Sequence, residues 1–551
     1  MFNRNAQGDR VKINSKIGQG TYSKTYSVSI HGKDESVMKR NFSERQIDWC
    51  FNLRELDLLA RLKGHPFVVS IEAVSFDSPF KPEHPLTPRG NYETKDDSLY
   101  FFMEKMLING RKFFVETDRN QDYFVHITIL SCQLLLVLEY IHSKGIMHLD
   151  IKPDNMLIGD EKGDNDGYCG TFLRLADFGM SQNYCAADAS TFGVITSWYR
   201  APEVAMGIPY SYSPDIWSAG CVLYEMITAR PLFETHEHDD SSVYNTILDR
   251  LPNPVDEGEL DSMWRRSKTG RSSVGKMTGR GRVLQRKSLK EMSQITEEER
   301  KWFDSVFDRN DRGSTTDEFF DLIDSLLTFN PEKRKTATEA LEMPFFEGLR
   351  DYIKEVRTRW QPEFDWKDIK VTVFPYIERQ WIARTLADIC NKYTDSTKRE
   401  KEETWFSYRV AFQAISLFDR YIEWCEKNKE KKKFTSEFVG TFDSSRNIGF
   451  HFRVILYMSY KYFMDINSPC YPWELFVEDE MSTATMCALG KKFEEFMVEK
   501  VLKFKIYQHT PYEYFSNVKG GIEDVVLLIE NYLKIDNFDG NLVELCEKLG
   551  E

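Results

Sequence analysis

The feature that most constrains this chain is the polar motif HLDIKPDN at residues 148–155. A second motif, Asp177-Phe178-Gly179, begins 22 residues after Asn155, and Ala201-Pro202-Glu203 follows it. The first two motifs together supply three carboxylates, an amide and an ammonium group, and groups of these kinds bind Mg²⁺ and neutralise phosphate charge. Their clustering in short polar motifs predicts a functional site rather than a structural loop.

A glycine-rich turn lies upstream, where Gly18 and Gly20 separate two strand-like stretches. Positions without a side chain let backbone N–H groups approach phosphate oxygens, although many ordinary hairpins also contain two glycines. The turn gains weight from Lys39 on the next predicted strand and Glu55 on the following predicted helix. These two side chains can pair, and the pair would hold the lysine over the phosphates of a nucleotide.

In this order the motifs resemble the protein-kinase signature set. The resemblance implies ATP and Mg²⁺ as cofactors and an α+β, bilobal protein kinase fold over residues 10–350, with the small lobe at about 10–103 and the large lobe at about 107–350. It makes Asp150 the group that accepts the proton of the substrate hydroxyl, and it places Lys152 on the transferring phosphate. Asn155 and Asp177 would hold Mg²⁺.

The resemblance also assigns the adenine site and three structural residues. Met103 falls at the gatekeeper position, and the hinge Glu104-Lys105-Met106 would bind adenine through its backbone. Glu203 and Arg334 match a buried ion pair of the large lobe, and Asp215 matches the residue that braces the catalytic loop.

Two further segments point to a subgroup of kinases. VITSWYRAPE (194–203) resembles the end of the activation segment in cyclin-dependent and mitogen-activated kinases, and IGQGTYSKTY (17–26) resembles the cyclin-dependent kinase glycine loop. By that resemblance, Arg200 and the Val194 backbone form a pocket that favours proline after a phosphorylated serine or threonine. Phosphate on Thr21 or Tyr22 would clash with the phosphates of ATP and so inhibit the enzyme.

The chain departs from that pattern around the activating phosphate. Ser23 replaces the third glycine of the loop, and Thr191 aligns with the family's activating phosphothreonine. Of the three arginines that usually bind this phosphate, Arg54 is present, whereas Leu149 and Gln182 stand at the other two places. With one charge-assisted partner in place of three, a phosphate on Thr191 would contribute little free energy to ordering the activation segment. We therefore expect activity without phosphorylation of Thr191.

A second block with helical periodicity begins near residue 371, after a predicted linker at 351–370. Its apolar residues recur at helical spacing over 411–424 and 452–465, which by itself fits any all-helical bundle. The block resembles an all-α cyclin box over 371–510, followed by a short helical tail at 511–551. In that resemblance Arg379 and Asp419 form an internal ion pair, and Lys461 and Glu495 contact the kinase's regulatory helix.

A fused cyclin domain implies activation in cis, since tethering gives an effective concentration in the millimolar range. Folding of this block onto a neighbouring chain is an alternative that stays open. A second interpretation is a catalytically weak or inactive scaffold that binds cell-cycle regulators, favoured slightly by Leu149 and Ser23. A third is an active kinase whose helical block recruits substrates; it predicts that the truncated kinase stays active on short peptides.

Composition limits the partners. The formal charge of −14 and the pI near 5.4 argue against general affinity for nucleic acid or anionic membranes. A basic stretch at 265–290 fits a solvated insertion, with an acidic-substrate docking patch or a nuclear-import signal as alternatives. No apolar run has membrane-spanning length, and the N-terminus lacks a signal-peptide core. Ten cysteines without a CxxC pair predict a reduced intracellular protein, cytoplasmic or nuclear, with no zinc framework.

Overall fold

The small lobe is built on a five-stranded antiparallel sheet in the order β1-β2-β3-β5-β4. A computed structural model describes residues 11–20, 23–30, 33–41, 46–75, 99–160, 171–185, 196–235, 237, 239–251, 257–267, 288–305, 316–360, 370–373, 408–427, 444–463 and parts of 497–550. The small-lobe elements are β1 Val11–Gln19, β2 Ser23–Ile30, β3 Lys33–Asn41, α1 Gln46–Arg61, β4 Ile71–Ser75 and β5 Leu99–Met103.

The alternation of side chains along the central strands gives this sheet two apolar faces. Met38, Tyr100 and Phe102 point to one face, where they are buried with Tyr26 and Val28. The intervening residues of β3 and β5 point to the other face and join the main core together with the apolar residues of α1. As a result, α1 packs under the sheet beside the Phe178–Met180 turn that follows Asp177.

The large lobe is mainly helical, as the sequence predicted. Its strands are β6 Ile108–Asn109, β7 Ile146–Met147, β8 Met156–Asp160, β9 Thr171–Leu175 and β10 Gln182–Asn183. Its helices are α2 Gly110–Glu116, α3 Gln121–Ser143, α4 Pro202–Ala205, α5 Ser213–Thr228, α6 Asp240–Arg250, α7 Glu257–Arg266, α8 Leu289–Ser293, α9 Glu297–Ser305, α10 Thr316–Leu326, α11 Ala337–Leu341 and α12 Arg350–Trp360.

Helix α3 runs through the centre of the large lobe. By length and composition it is the one helix among the described residues that could cross a membrane, but 83% of its most apolar 18-residue window is buried inside the protein. That burial is typical of the core helix of a folded domain. Elsewhere in the large lobe, Glu203 and Arg334 form the buried ion pair expected from the sequence, with N–O distances of 2.6 and 2.9 Å.

The predicted linker is shorter than expected, because α12 continues the large lobe to Trp360. Arg357 on this helix forms a bidentate ion pair with Glu139 of α3, at 2.8 and 3.0 Å. Sequence periodicity missed the helix because its face toward the lobe is narrow: Ile353 and Val356 are its buried residues.

The described part of the C-terminal block is mostly helical. It contains β11 Lys370–Val373, α13 Tyr408–Lys427, α14 Ser444–Phe463, α15 Pro511–Val518, β12 Phe538–Asn541 and α16 Leu542–Gly550. The α13 and α14 helices pack on each other, and α14 also packs on α1 of the kinase. The tail is not purely helical as predicted, since β12 pairs antiparallel with β11. The four-residue segment FDGN is too short and too polar to show strand alternation in the sequence.

Candidate active site

Lys39 lies between two carboxylates at the junction of the lobes. It lies toward the C-terminal end of β3, paired in register with Thr25 and Phe101. Its Nζ donates to Glu55 Oε1 at 2.6 Å and to Asp177 Oδ1 at 2.8 Å. The strand, the regulatory helix and the start of the activation segment therefore meet at one ammonium group, which is the arrangement that the sequence predicted for Lys39 and Glu55.

The charge of this cluster is set by burial and by the ion pairs together. Burial alone would lower the pKa of Lys39, but the carboxylates of Asp177 and Glu55 raise it above its ordinary value. The Lys39 ammonium in turn lowers the pKa of Asp177 to about 2. Burial raises the pKa of Glu55, against the opposing effect of Lys39. Lys39 and Asp177 are therefore both ionised at neutral pH.

The catalytic loop brings the other predicted residues around Asp150. Lys152 Nζ lies 2.7 Å from Asp150 Oδ2, and Asn155 Nδ2 donates to the same oxygen at 2.9 Å. The hydroxyl of Thr196 donates to Asp150 Oδ1 at 2.8 Å. Both oxygens of the carboxylate are thus oriented by neighbours, and an incoming hydroxyl group would meet a fixed acceptor.

The backbone before Asp150 is held in place by Asp215. Its two oxygens accept the N–H groups of His148 and Leu149 at 2.8 and 2.7 Å, as the predicted bracing role requires. Leu149 adopts φ 62°, a left-handed conformation that costs energy for a branched side chain. These two hydrogen bonds help to offset that cost. The Leu149 side chain is buried, so it fills core space where the family's arginine would carry charge.

The predicted nucleotide-binding residues Gly18, Gly20 and Met103 lie in or beside strands of the small-lobe sheet. Gly18 pairs with Thr25 in the β1–β2 hairpin, and Gly20 N–H donates to the Ser23 carbonyl at 2.9 Å. Met103 ends β5 and is 9% exposed.

The side chain of the hinge residue Glu104 contacts two other parts of the protein. It accepts from Ser70 N–H at 3.1 Å and from Arg174 Nε at 3.0 Å. The Glu104 side chain therefore links the hinge to Ser70 and Arg174, and adenine binding by the backbone from Glu104 to Met106 stays a prediction.

The donor set suits Mg²⁺ bound together with phosphates. The described residues contain no group of three His, Cys, Asp or Glu side chains that would hold a metal ion on its own. Magnesium prefers oxygen ligands and commonly takes one or two from the protein and the rest from water and substrate phosphates. The Asp177 carboxylate and the Asn155 amide oxygen fit that pattern, and Mg²⁺ held there would neutralise developing phosphate charge.

Arg54 and Asp57 of α1 face the C-terminal block and not the active site. Arg54 Nε donates to the Tyr462 carbonyl at 2.9 Å. Asp57 is fully buried; its Oδ2 accepts the Tyr462 hydroxyl at 2.6 Å, and its Oδ1 accepts the N–H groups of Ile506 and Tyr507 at 2.5 and 3.1 Å. We call these five residues the helix clamp.

A second layer of contacts ties the helix clamp to the activation segment. Asn183, on β10, donates from Nδ2 to the Tyr462 hydroxyl at 2.8 Å and accepts from Arg61 at 2.6 Å. Arg409 on α13 donates to the Asn183 carbonyl at 3.1 Å and pairs with Glu513 at 2.9 Å. Tyr462 thus contacts both the regulatory helix and the segment that follows Asp177, and Arg409 contacts that segment as well.

Several predicted residues lie outside the described residues. They are the regulatory positions Thr21, Tyr22 and Thr191, the pocket residue Val194, the cyclin-type residues Arg379 and Glu495, and the side chain of Lys461. Two related residues are described. Asp419 is buried and accepts the Tyr532 hydroxyl at 3.3 Å, and Arg200 pairs with Asp240 at 2.6 Å. The roles assigned to all of these residues stay predictions.

Sequence reasoning missed Asp57, Tyr462, Ile506 and Tyr507 as the contact between the kinase and the C-terminal block. One signal was present: Asp57 interrupts the run of buried leucines at positions 53, 56, 58 and 59 of α1. An acidic residue on an apolar helix face is costly to bury unless donors meet it, so it indicates a partner surface.

The bilobal fold and the Lys39–Glu55–Asp177 and Asp150–Lys152–Asn155 clusters define a protein kinase. The family model for the protein kinase domain matches residues 11–346, and the chain belongs to that family. The serine/threonine-protein kinase KDX1 of Saccharomyces cerevisiae is 27% identical over 369 residues, covering 65% of this chain and 73% of the relative. This chain is accordingly a serine/threonine protein kinase, and protein kinases use ATP and Mg²⁺.

Two further relatives carry the name mitogen-activated protein kinase. Mitogen-activated protein kinase 5 of Oryza sativa subsp. japonica is 29% identical over 346 residues, covering 62% of this chain and 79% of the relative. Mitogen-activated protein kinase spk1 of Schizosaccharomyces pombe is 28% identical over 343 residues, with 61% and 77% covered. These matches support the kinase family but not the cyclin-dependent type, which is therefore part of the proposal below.

Proposed function

We propose that this chain is a proline-directed serine/threonine kinase of the cyclin-dependent type whose own C-terminal block, acting as a cyclin-like domain, holds it active in cis. The helix clamp is the observation that carries the proposal. Its residues fix α1, and α1 supplies Glu55 to Lys39. Positioning and charge neutralisation account for most catalysis of phosphoryl transfer, so control of Glu55 is control of activity.

The proline preference rests on Arg200 and on the similarity to mitogen-activated kinases. Arg200 ends the Ser197–Tyr199 turn next to Thr196, whose hydroxyl contacts Asp150. A substrate residue that follows the phosphorylated serine would therefore lie near Arg200.

The described cysteines Cys132, Cys185, Cys221 and Cys546 are free thiols, which supports our proposal that the kinase acts inside the cell.

The direct test is phosphate transfer from Mg·ATP to three matched peptides that differ at the phosphoacceptor or the next residue: Ser-Pro, Ser-Ala and Tyr-Pro. We expect the full-length chain to phosphorylate the Ser-Pro peptide at least about tenfold better than either of the others, which corresponds to about 1.4 kcal/mol. Asp150→Asn, with its fold checked by circular dichroism, gives the background rate. Equal rates for wild type and Asp150→Asn with ATP still bound would favour the scaffold interpretation.

Thr191→Ala is expected to leave kcat/KM within about twofold of wild type. Arg54 already donates to the Tyr462 carbonyl, and the uncharged Leu149 and Gln182 offer a phosphate little attraction. The measurement is kcat/KM on the Ser-Pro peptide, with mass spectrometry to establish whether wild-type Thr191 is phosphorylated. Ser190→Ala serves as the neighbouring control. Loss of transfer in a folded Thr191→Ala protein would contradict the expectation.

A further inference from the structure

Arg111 is an arginine at the start of α2 that joins three elements of the large lobe. Its Nε lies 2.8 Å from Asp154 Oδ2, its Nη1 3.0 Å from Glu225 Oε1, and its Nη2 donates to the Tyr199 hydroxyl at 2.9 Å. Tyr199 in turn donates to the other oxygen of Glu225 at 2.6 Å. The guanidinium group therefore neutralises two carboxylates from different parts of the chain.

These carboxylates lie beside the position of the substrate hydroxyl. Asp154 precedes Asn155, whose amide group donates to Asp150. On the other side, Tyr199 N–H donates to the carbonyl of Thr196, whose hydroxyl contacts Asp150. Asp154 and Tyr199 are thus each one short turn away from Asp150; the Asp154 side chain is exposed, and Tyr199 is buried.

Exposure of the cluster makes it reachable from solvent. The side chain of Arg111 is 34% exposed and that of Asp154 is 40% exposed, whereas Glu225 lies beneath them at 4%. Removing the guanidinium group would leave two carboxylates without this partner, the solvent-exposed Asp154 and the buried Glu225 beneath it. A planar group with several N–H donors suits this pair of carboxylates better than a point charge does.

We propose that Arg111 is a specificity-determining residue that fills, from within the chain, a pocket that would otherwise bind an arginine of the substrate. A substrate arginine can bind there only by displacing Arg111 and breaking its ion pairs. Basic residues near the phosphorylation site therefore add little to the affinity for a substrate. This inference rests on the serine/threonine kinase activity. It does not depend on the cyclin-like role of the C-terminal block.

The test is a set of Ser-Pro peptides that carry arginine or glutamine at one position at a time, from one to five residues before the serine. With full-length wild type we expect arginine and glutamine peptides to differ less than about threefold in kcat/KM at every position. Arg111→Ala is expected to prefer arginine by about tenfold or more at one position. Lys112→Ala, the adjacent exposed lysine of α2, should behave like wild type.

Two further variants keep the test decisive if Arg111→Ala is poorly folded. Arg111→Gln keeps hydrogen-bonding capacity without the charge and should show the same new preference. Arg111→Ala/Asp154→Asn should lose most of that preference, because one of the two carboxylates is gone. A folded, active Arg111→Ala or Arg111→Gln that still treats arginine and glutamine alike would overturn the assignment. Failure of wild type on every peptide would overturn the proposed function itself.

Discussion

Asp57→Asn is expected to lower kcat for peptide phosphorylation by about tenfold to 10²-fold while KM for the peptide stays within about twofold. The substitution places an amide where the carboxylate accepts the Tyr462 hydroxyl and the N–H groups of Ile506 and Tyr507. A buried donor left without its acceptor costs about 1–3 kcal/mol, and each 1.4 kcal/mol is tenfold in a population. The population of molecules with Glu55 against Lys39 falls accordingly.

Tyr462→Phe offers a smaller matched change, since it removes one hydroxyl group and leaves the ring in place. Because Asp57 and Tyr462 share a hydrogen bond, their effects on kcat should be less than additive in the double variant. Asp122→Asn, at an exposed aspartate of α3, controls for the loss of a charge. Hydrogen exchange of α1 should rise in the clamp variants and stay at the wild-type level in the control. Additive losses of kcat in the double variant would contradict a role for the helix clamp in catalysis. A folded clamp variant with normal kcat would contradict it as well.

A mixing experiment separates action in cis from action in trans. Asp150→Asn has an intact C-terminal block but no catalytic aspartate, whereas Tyr462→Phe has an intact kinase domain and a weakened C-terminal block. If each C-terminal block serves its own kinase, mixing the two proteins leaves the rate at the Tyr462→Phe level at every concentration. Recovery that grows with the concentration of Asp150→Asn would instead indicate exchange between chains.

The catalytic cluster could be read from the sequence because its residues lie in short motifs whose chemistry is local. Asp150, Lys152 and Asn155 occupy one loop, and that loop has to present them together whatever the rest of the chain does. Lys39 and Glu55 required one more assumption, that a strand and the next helix pack together, and the structure places their side chains in contact.

The helix clamp could not be predicted in the same way. Asp57 and Tyr462 are 405 residues apart, so their contact depends on how two domains meet. The cyclin resemblance directed attention to Lys461, whose neighbour Tyr462 makes the described contacts through its carbonyl and hydroxyl groups. Helical periodicity identifies the apolar face of α14, but it does not show which residues of the helix contact another domain.

Lys39→Met is expected to lower phosphate transfer by about 10²-fold or more and to destabilise the protein as well. The ammonium group that should contact the nucleotide phosphates is lost, and removal of one preorganised charge commonly costs about 10²–10³-fold in rate. The buried Glu55 carboxylate, 4% exposed, also loses its ion-pair partner. Breaking a buried pair from one side costs about 3–5 kcal/mol of stability.

The pH dependence of stability shows whether the unpaired Glu55 carboxylate causes the loss of stability in Lys39→Met. Burial already raises the pKa of Glu55, and without Lys39 nothing in this pair opposes that effect. A carboxyl group whose pKa is higher in the folded than in the unfolded state stabilises the fold below the unfolded pKa, and this stabilisation is lost as pH rises through the folded pKa. The melting temperature of Lys39→Met, measured in EDTA, should therefore fall relative to wild type between about pH 5 and pH 8.

The double variant Lys39→Met/Glu55→Gln separates stability from catalysis at this site. Glutamine carries no charge that needs compensation, so the melting temperature should return toward wild type and lose its extra pH dependence. Phosphate transfer should remain as low as in Lys39→Met, because the ammonium group is still missing. If instead the double variant is as unstable as Lys39→Met at pH 8, the unpaired Glu55 charge is not the source of the instability. Recovery of both properties would show that Lys39 serves the fold and not the phosphates.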